Sequence, residues 1–221
     1  MNKNKISLYE PLLIFAVFYL PGIFTGTLGN LTFSQYRFHF LYALSTIPEV
    51  LLLVYIVYLK DKRLLPIMGI RKWNKRDSRH LGFHFLVLIA VIILIQSILY
   101  LATLLIPIPE VPALPSTPLS MIPFLLITSL LTGIREELYF RSYLLTLWKP
   151  PYISAARGIL LSSLLFASGH LYLGWPGVIN SFILGLFFCW LYKRTRSLWQ
   201  NALIHGLYDF SILLIVTLIP T

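Results

Sequence analysis

An all-α fold, a polytopic transmembrane helical bundle of about seven spans with its N-terminus in and its C-terminus out, is predicted by three observations. The 221 residues are 57% hydrophobic and only 12% charged, whereas soluble domains carry about 25% charged residues. The apolar residues fall into runs long enough to cross a bilayer, which needs about 20 residues per helix. The basic residues collect in alternate connections, on one side of those runs.

The first run, Pro11 to Leu28, follows a short polar start with Lys3 and Lys5. It lacks a small-x-small cleavage site and reads as a retained span, kinked at Pro21-Gly22. The second span, about Phe38 to Leu59, carries Pro48-Glu49 near its middle. Glu49 is expected to bond to backbone freed by the kink at Pro48, rather than to join a functional cavity. Lys60 to His80 reads as a basic loop, a solvated face beside anionic headgroups. The third span, about Leu81 to Ile106, is almost wholly aliphatic, with His84 placed at its basic, interfacial end. A proline-rich connector, Pro107 to Pro118, stops the helices on both sides.

The fourth span runs from about Leu119 to Trp148, longer than one crossing needs, so it tilts or breaks after Arg141. The fifth begins near Ala155 and ends in F-A-S-G-H-L, the sixth covers about Trp175 to Tyr192, and the seventh Leu198 to Ile219. Two regions result: residues 1–118, with three spans and the basic loop, and residues 119–221, a four-span core holding the polar motifs. With the N-terminus inside, all lysines and arginines except Arg37, Arg135 and Arg141 lie in inner segments. That asymmetry accounts for the net charge of +10 by topology, so no nucleic-acid partner is inferred. Cys189 is the single cysteine and can form no internal disulfide.

The costliest stretch is T-G-I-R-E-E-L-Y-F-R-S-Y-L-L-T-L-W, Thr132 to Trp148, which sets Arg135, Glu136, Glu137 and Arg141 in an apolar helix. An ionised side chain near the bilayer centre costs about 2.5 to 3.5 kcal/mol even on lenient scales, so these groups should be paired or face a wet cavity. Glu137 and Arg141 are four apart, acid first, the favourable order for an ion pair on one face. Glu136 points about 100° away around the helix and is the carboxylate left free for chemistry.

Two further spans carry polar pairs at the same depth. Glu136 precedes Lys149 by 13 residues, while His170 follows Arg157 and Asp209 follows Arg196 by the same number, with His205 at nine. At about 1.5 Å rise per residue, all four lie roughly 13 to 20 Å from the inner basic markers. His205 and Asp209 share a helical face, as do Phe166 and His170. Helix packing alone explains any one of these residues, but explains poorly their meeting at one depth on separate helices.

The order E-E-L-Y-F-R, F-A-S-G-H and H-G-L-Y-D has the forms E-E-x-x-x-R, F-x-x-x-H and H-x-x-x-(N/D). This set resembles the CPBP family, the CAAX proteases and bacteriocin-processing enzymes also called Abi. Gly185 to Trp199 is similar to that family's link into its last motif, and the resemblance covers about Leu119 to Phe210. It implies an intramembrane endopeptidase in which Glu136 activates water, His170 helps hold it, and His205 and Asp209 polarise the scissile carbonyl. Glu137 and Arg141 would shape the site. Ser142 stands where a glycine is common in the family, which bears on packing more than on chemistry.

The family often has asparagine where this chain has Asp209. An ionised Asp209 cannot donate to an oxyanion, so it is protonated, orients His205, or binds a metal. His170, His205, Glu136 and Asp209 would make a zinc set, although no H-E-x-x-H is present. A mechanism with no cofactor is the first expectation and a zinc-dependent one the second. The expected partners are membrane lipid and a peptide or protein substrate with a hydrophobic or lipidated segment. The expected location is a bacterial cytoplasmic membrane. A transporter would show an internal repeat, and none is found. A scaffold or immunity protein of the same fold would not need the polar set.

Overall fold

A computed structural model describes residues 9–21, 34–104, 117–148 and 153–218. Every regular element among them is helical. The seven main helices are α1 (Tyr9–Phe18), α2 (Tyr36–Asp61), α3 (Lys75–Thr103), α4 (Ile122–Glu136), α5 (Ala155–Ser168), α6 (Gly174–Thr195) and α7 (Leu198–Leu218). Helix α4 runs on without a break through a π-helical stretch, Glu137–Tyr143, and a last α-turn, Leu144–Leu147.

Among the described residues, five helical segments are long and apolar enough to cross a membrane: Tyr36–Asp61, Asp77–Ala102, Leu119–Leu147, Leu171–Thr195 and Leu198–Leu218. The chain is an integral membrane protein. Tyr9–Phe18 and Ala155–Ser168 are shorter apolar helices. The later part of the expected first span, with its Gly22 hinge, lies outside the described residues, as does most of the proline-rich connector. The expected fifth span is a 14-residue helix, about 21 Å long, against a hydrocarbon core of about 30 Å. It stops early because Gly169 and His170 leave the helix in a turn, and His170 takes φ −112°, ψ 17°.

The basic segment 60–80 is more ordered than a solvated loop. Asn74 caps α3 in a capping box with Asp77, so the third helix begins at Lys75 rather than near Leu81. Arg71 makes a two-pronged pair with Asp77, both N···O distances being 2.8 Å. Gly69 adopts φ +74° and its carbonyl accepts from Leu198 N–H at 3.1 Å, docking this segment on the start of α7. A side chain at Gly69 would be strained at that φ and would meet Leu198 N at 2.8 Å.

Helices α4 and α7 approach closely. A Cβ on Gly133 would lie 2.4 Å from Ala202 O, and one on Gly206 would lie 2.8 Å from Ser129 O. Ser129 and Gly133 on α4, and Ala202 and Gly206 on α7, are each spaced by four, so two small-residue faces let the backbones touch. Helix α1 is tied across the other side of α4. Tyr139 Oη donates to Pro11 O at 2.6 Å, Tyr143 Oη bonds Glu10, and Arg135 donates to Phe18 O. The rings of Phe15, Tyr19, Tyr139 and Phe140 fill the space between.

Candidate active site

The acidic pair straddles the junction of α4 with the π stretch, Glu136 ending the one and Glu137 beginning the other, and the two carboxylates part company there. Glu137 is fully buried. Its Oε1 accepts from Arg141 Nη1 at 2.8 Å and lies 2.8 Å from His205 Nδ1, while its Oε2 accepts from Asn201 Nδ2 at 3.0 Å. Three donors on one carboxylate keep it an ionised acceptor. The Glu137–Arg141 ion pair forms within the helix at the i,i+4 spacing.

Arg141 is also fully buried, and Nε and Nη2 have no hydrogen-bond partner among the described residues. Aromatic faces take their place. Its Cζ lies 4.2 Å from the Phe166 ring centroid, 5.3 Å from that of Phe188 and 5.7 Å from that of Phe140. Such desolvated cation–π contacts are worth about 2 kcal/mol or more each. The charge is therefore compensated partly by one carboxylate and partly by rings.

His205 stands where the motifs meet. Because Glu137 can only accept, Nδ1 of His205 must carry a proton, which fixes the tautomer and turns Nε2 toward the other acids. Nε2 lies 3.5 Å from Glu136 Oε2 and 3.7 Å from Asp209 Oδ2. The ring stacks on Phe188, with centroids 4.5 Å apart and planes 20° apart. Two carboxylates thus converge on one ring nitrogen, at distances too long for good hydrogen bonds. With a second proton on the ring, Nε2–H becomes a donor that both acids can share.

His170 reaches this group through Phe166. Its Nδ1 lies 2.9 Å from Phe166 O, and since a carbonyl only accepts, Nδ1 is the donor and Nε2 keeps its lone pair in the neutral ring. The Phe166 ring lies 4.8 Å from that of His170 and 5.9 Å from that of His205, so it spaces the two histidines. The structure therefore brings Glu136, Glu137, Arg141, His205 and Asp209 into direct contact. His170 joins through one intervening ring.

Two residues of this arrangement, Asn201 and Phe188, escape the motif reading. Asn201 holds Glu137 and also donates to Phe188 O at 3.0 Å; its sequence signal is a position four before His205, on the same face. Phe188 stacks His205, and Phe166 packs His170, His205 and Arg141 together. Glu49 also departs from expectation. It pairs with Arg135 at 2.6 Å rather than capping backbone at Pro48, because Arg135 turns from the site toward α1 and α2. The Arg135 guanidinium lies over the Tyr19 ring, 4.5 Å from its centroid. His84, expected at the interface, is buried with Nδ1 3.1 Å from Gln200 Nε2.

Among the described residues, no group of three or more His, Cys, Asp or Glu side chains is arranged to hold a metal ion. Glu137 and one nitrogen of His205 are already committed to each other, which leaves His205 Nε2, Glu136, Asp209 and His170 as the donors a metal would have to gather.

Residues 118–211 match the family model described as type II CAAX prenyl endopeptidase Rce1-like. No curated protein and no solved structure shows a significant match to the chain.

Proposed function

The region 118–211 is that of the CPBP/CAAX protease family, and from this premise we propose that the chain is an intramembrane endopeptidase in which Glu136 activates the attacking water. The observation that carries the proposal is the division of labour between neighbouring carboxylates. Glu137 is saturated by Arg141, Asn201 and His205, whereas Glu136, among the described residues, reaches only toward His205 Nε2, at 3.5 Å.

Glu136 takes a proton from water, and the hydroxide adds to the scissile carbonyl carbon. His170, held as the Nδ1–H tautomer by Phe166 O, presents its Nε2 lone pair to the second water hydrogen. His205, carrying a proton on each ring nitrogen and oriented by Glu137, offers Nε2–H to the carbonyl oxygen as negative charge develops there. Asp209 holds that ring from the same side. Collapse of the tetrahedral species breaks the C–N bond. Glu136 passes its proton to the leaving amine, giving one new carboxylate and one amine.

The substrate is a peptide or protein segment with a hydrophobic or lipidated part, delivered from the membrane. Seven crossings with the N-terminus in, in a bacterial cytoplasmic membrane, complete this reading. A non-catalytic scaffold or immunity protein of the same fold is disfavoured by the cost of keeping so many buried charges. The zinc version, with His170, His205, Glu136 and Asp209 as ligands, requires these side chains to move together, and there the metal would supply the Lewis acid.

The test is cleavage in liposomes of a library of lipidated and hydrophobic-tailed peptides by wild type, Glu136→Gln and His205→Ala, with and without a zinc chelator. Loss in both variants and indifference to chelation is the expected result. Loss on chelation with recovery by zinc replaces the metal-free mechanism, and no cleavage of any library member by wild type contradicts the peptidase reading.

A further inference from the structure

Away from the acidic cluster, the ends of α3 and α6 and the start of α7 enclose a cavity of about 80 Å³. Its lining is polar except for Phe83, and it contains His80, His84, Arg194, Thr195 and Gln200 beside Asp77. We infer that this cavity binds a phosphate group, as a phospholipid headgroup or as free phosphate.

The charge balance of the lining points that way. Asp77 contributes no free negative charge, because Arg71 neutralises it through two 2.8 Å bonds and Asn74 N–H donates to it at 2.9 Å. Arg71 is itself committed, since it also donates to the Arg196 and Thr195 carbonyls. Among the described lining residues, the cations left are Arg194 and, when protonated, His80, both on the exposed rim.

The inner lining is set up to donate. Gln200 Nε2 donates to Asp77 O at 3.2 Å and lies 3.1 Å from His84 Nδ1. An amide nitrogen has no lone pair to offer, so Nδ1 accepts and His84, one of the lining residues, is the Nε2–H tautomer. A polar lining and a fixed cation at the rim suit a group with several acceptor oxygens. The volume is several times the ~10–15 Å³ that one water needs on the same measure, enough for one phosphate group. The basic ends of α3 and α6, with Lys75, Arg79, Lys193 and Arg194, place the cavity where headgroups are expected.

Purified protein in nonionic detergent would be titrated with soluble dihexanoyl phosphatidylglycerol and, separately, with inorganic phosphate, following the melting temperature. Wild type should show a saturable rise with at least one of them, and Arg194→Gln/His80→Gln should weaken its midpoint roughly tenfold or more. A Lys60→Gln/Lys62→Gln control on the same basic segment should leave the midpoint unchanged. Saturation by the lipid alone identifies a headgroup site, and saturation by both identifies a general phosphate site. The inference is overturned if neither probe saturates, if the cavity variant titrates as wild type, or if the control loses as much as the cavity variant. Arg194 and His80 are exposed, so their replacement leaves the fold in place.

Discussion

Glu137 Oε1 lies 2.8 Å from His205 Nδ1, and this one contact fixes which nitrogen of the histidine faces the neighbouring acids. Because the same oxygen also accepts from Arg141, the contact joins the first motif to the last. Glu137 is thereby a positioning residue in this account, and Glu136 the reacting one.

Removing Glu137 should therefore damage stability as well as rate. Glu137→Ala leaves Arg141 buried without its counter-charge, which costs about 3–5 kcal/mol. The double variant Glu137→Gln/Arg141→Met should regain much of that stability without regaining activity, since His205 still lacks an anionic anchor. Melting temperatures and cleavage rates of the three forms check this. Recovery of rate in the double variant would contradict the positioning role.

Asn201→Ala withdraws one donor from a buried carboxylate and should cost about 1–3 kcal/mol. Asn201→Asp should be worse, because it sets a second carboxylate against Glu137. Denaturation in mixed micelles measures both, and equal stability of wild type and Asn201→Asp would show that the amide bond to Glu137 contributes nothing.

How much of this was legible in the sequence follows the distance over which each interaction is made. The helical class, the Glu137–Arg141 pair and the shared face of His205 and Asp209 are local, so spacing alone exposes them. The bond from Asn201 to Glu137 and the pairing of Glu49 with Arg135 cross between helices, and depend on rotations that no spacing rule supplies. The π-helical stretch is invisible for a similar reason, since a shift of one hydrogen-bond register leaves the apolar pattern of Leu138 to Tyr143 almost unaltered. The early end of α5 has a signal in Gly169, which the expected span includes. The small residues at Ser129, Gly133, Ala202 and Gly206 also had one, spaced by four on both helices.

Glycines separate packing from propensity in a direct way. Gly206→Ala should destabilise by several kcal/mol, because its Cβ would meet Ser129 O and Leu130 Cα at 2.8 Å. Gly82→Ala, whose Cβ meets nothing within 4 Å, should stabilise by up to about 1 kcal/mol. Thermal melts of the two variants test the contrast, and equal shifts would mean that α4 and α7 do not approach as described.

Glu49 and Arg135 form a structural pair in this account, so Glu49→Gln should lower the melting temperature while leaving the cleavage rate of folded protein within about threefold. A drop of hundreds-fold in rate at unchanged stability would instead place Glu49 in the chemistry.

The most direct test of the central claim is the single-turnover cleavage rate of Glu136→Gln beside its melting temperature. The account predicts a rate lowered by about 10²–10⁴-fold, the usual contribution of a positioned general base, at a melting temperature close to wild type. A rate within tenfold of wild type for a normally folded Glu136→Gln protein would contradict it, and would move the activation of water to another residue.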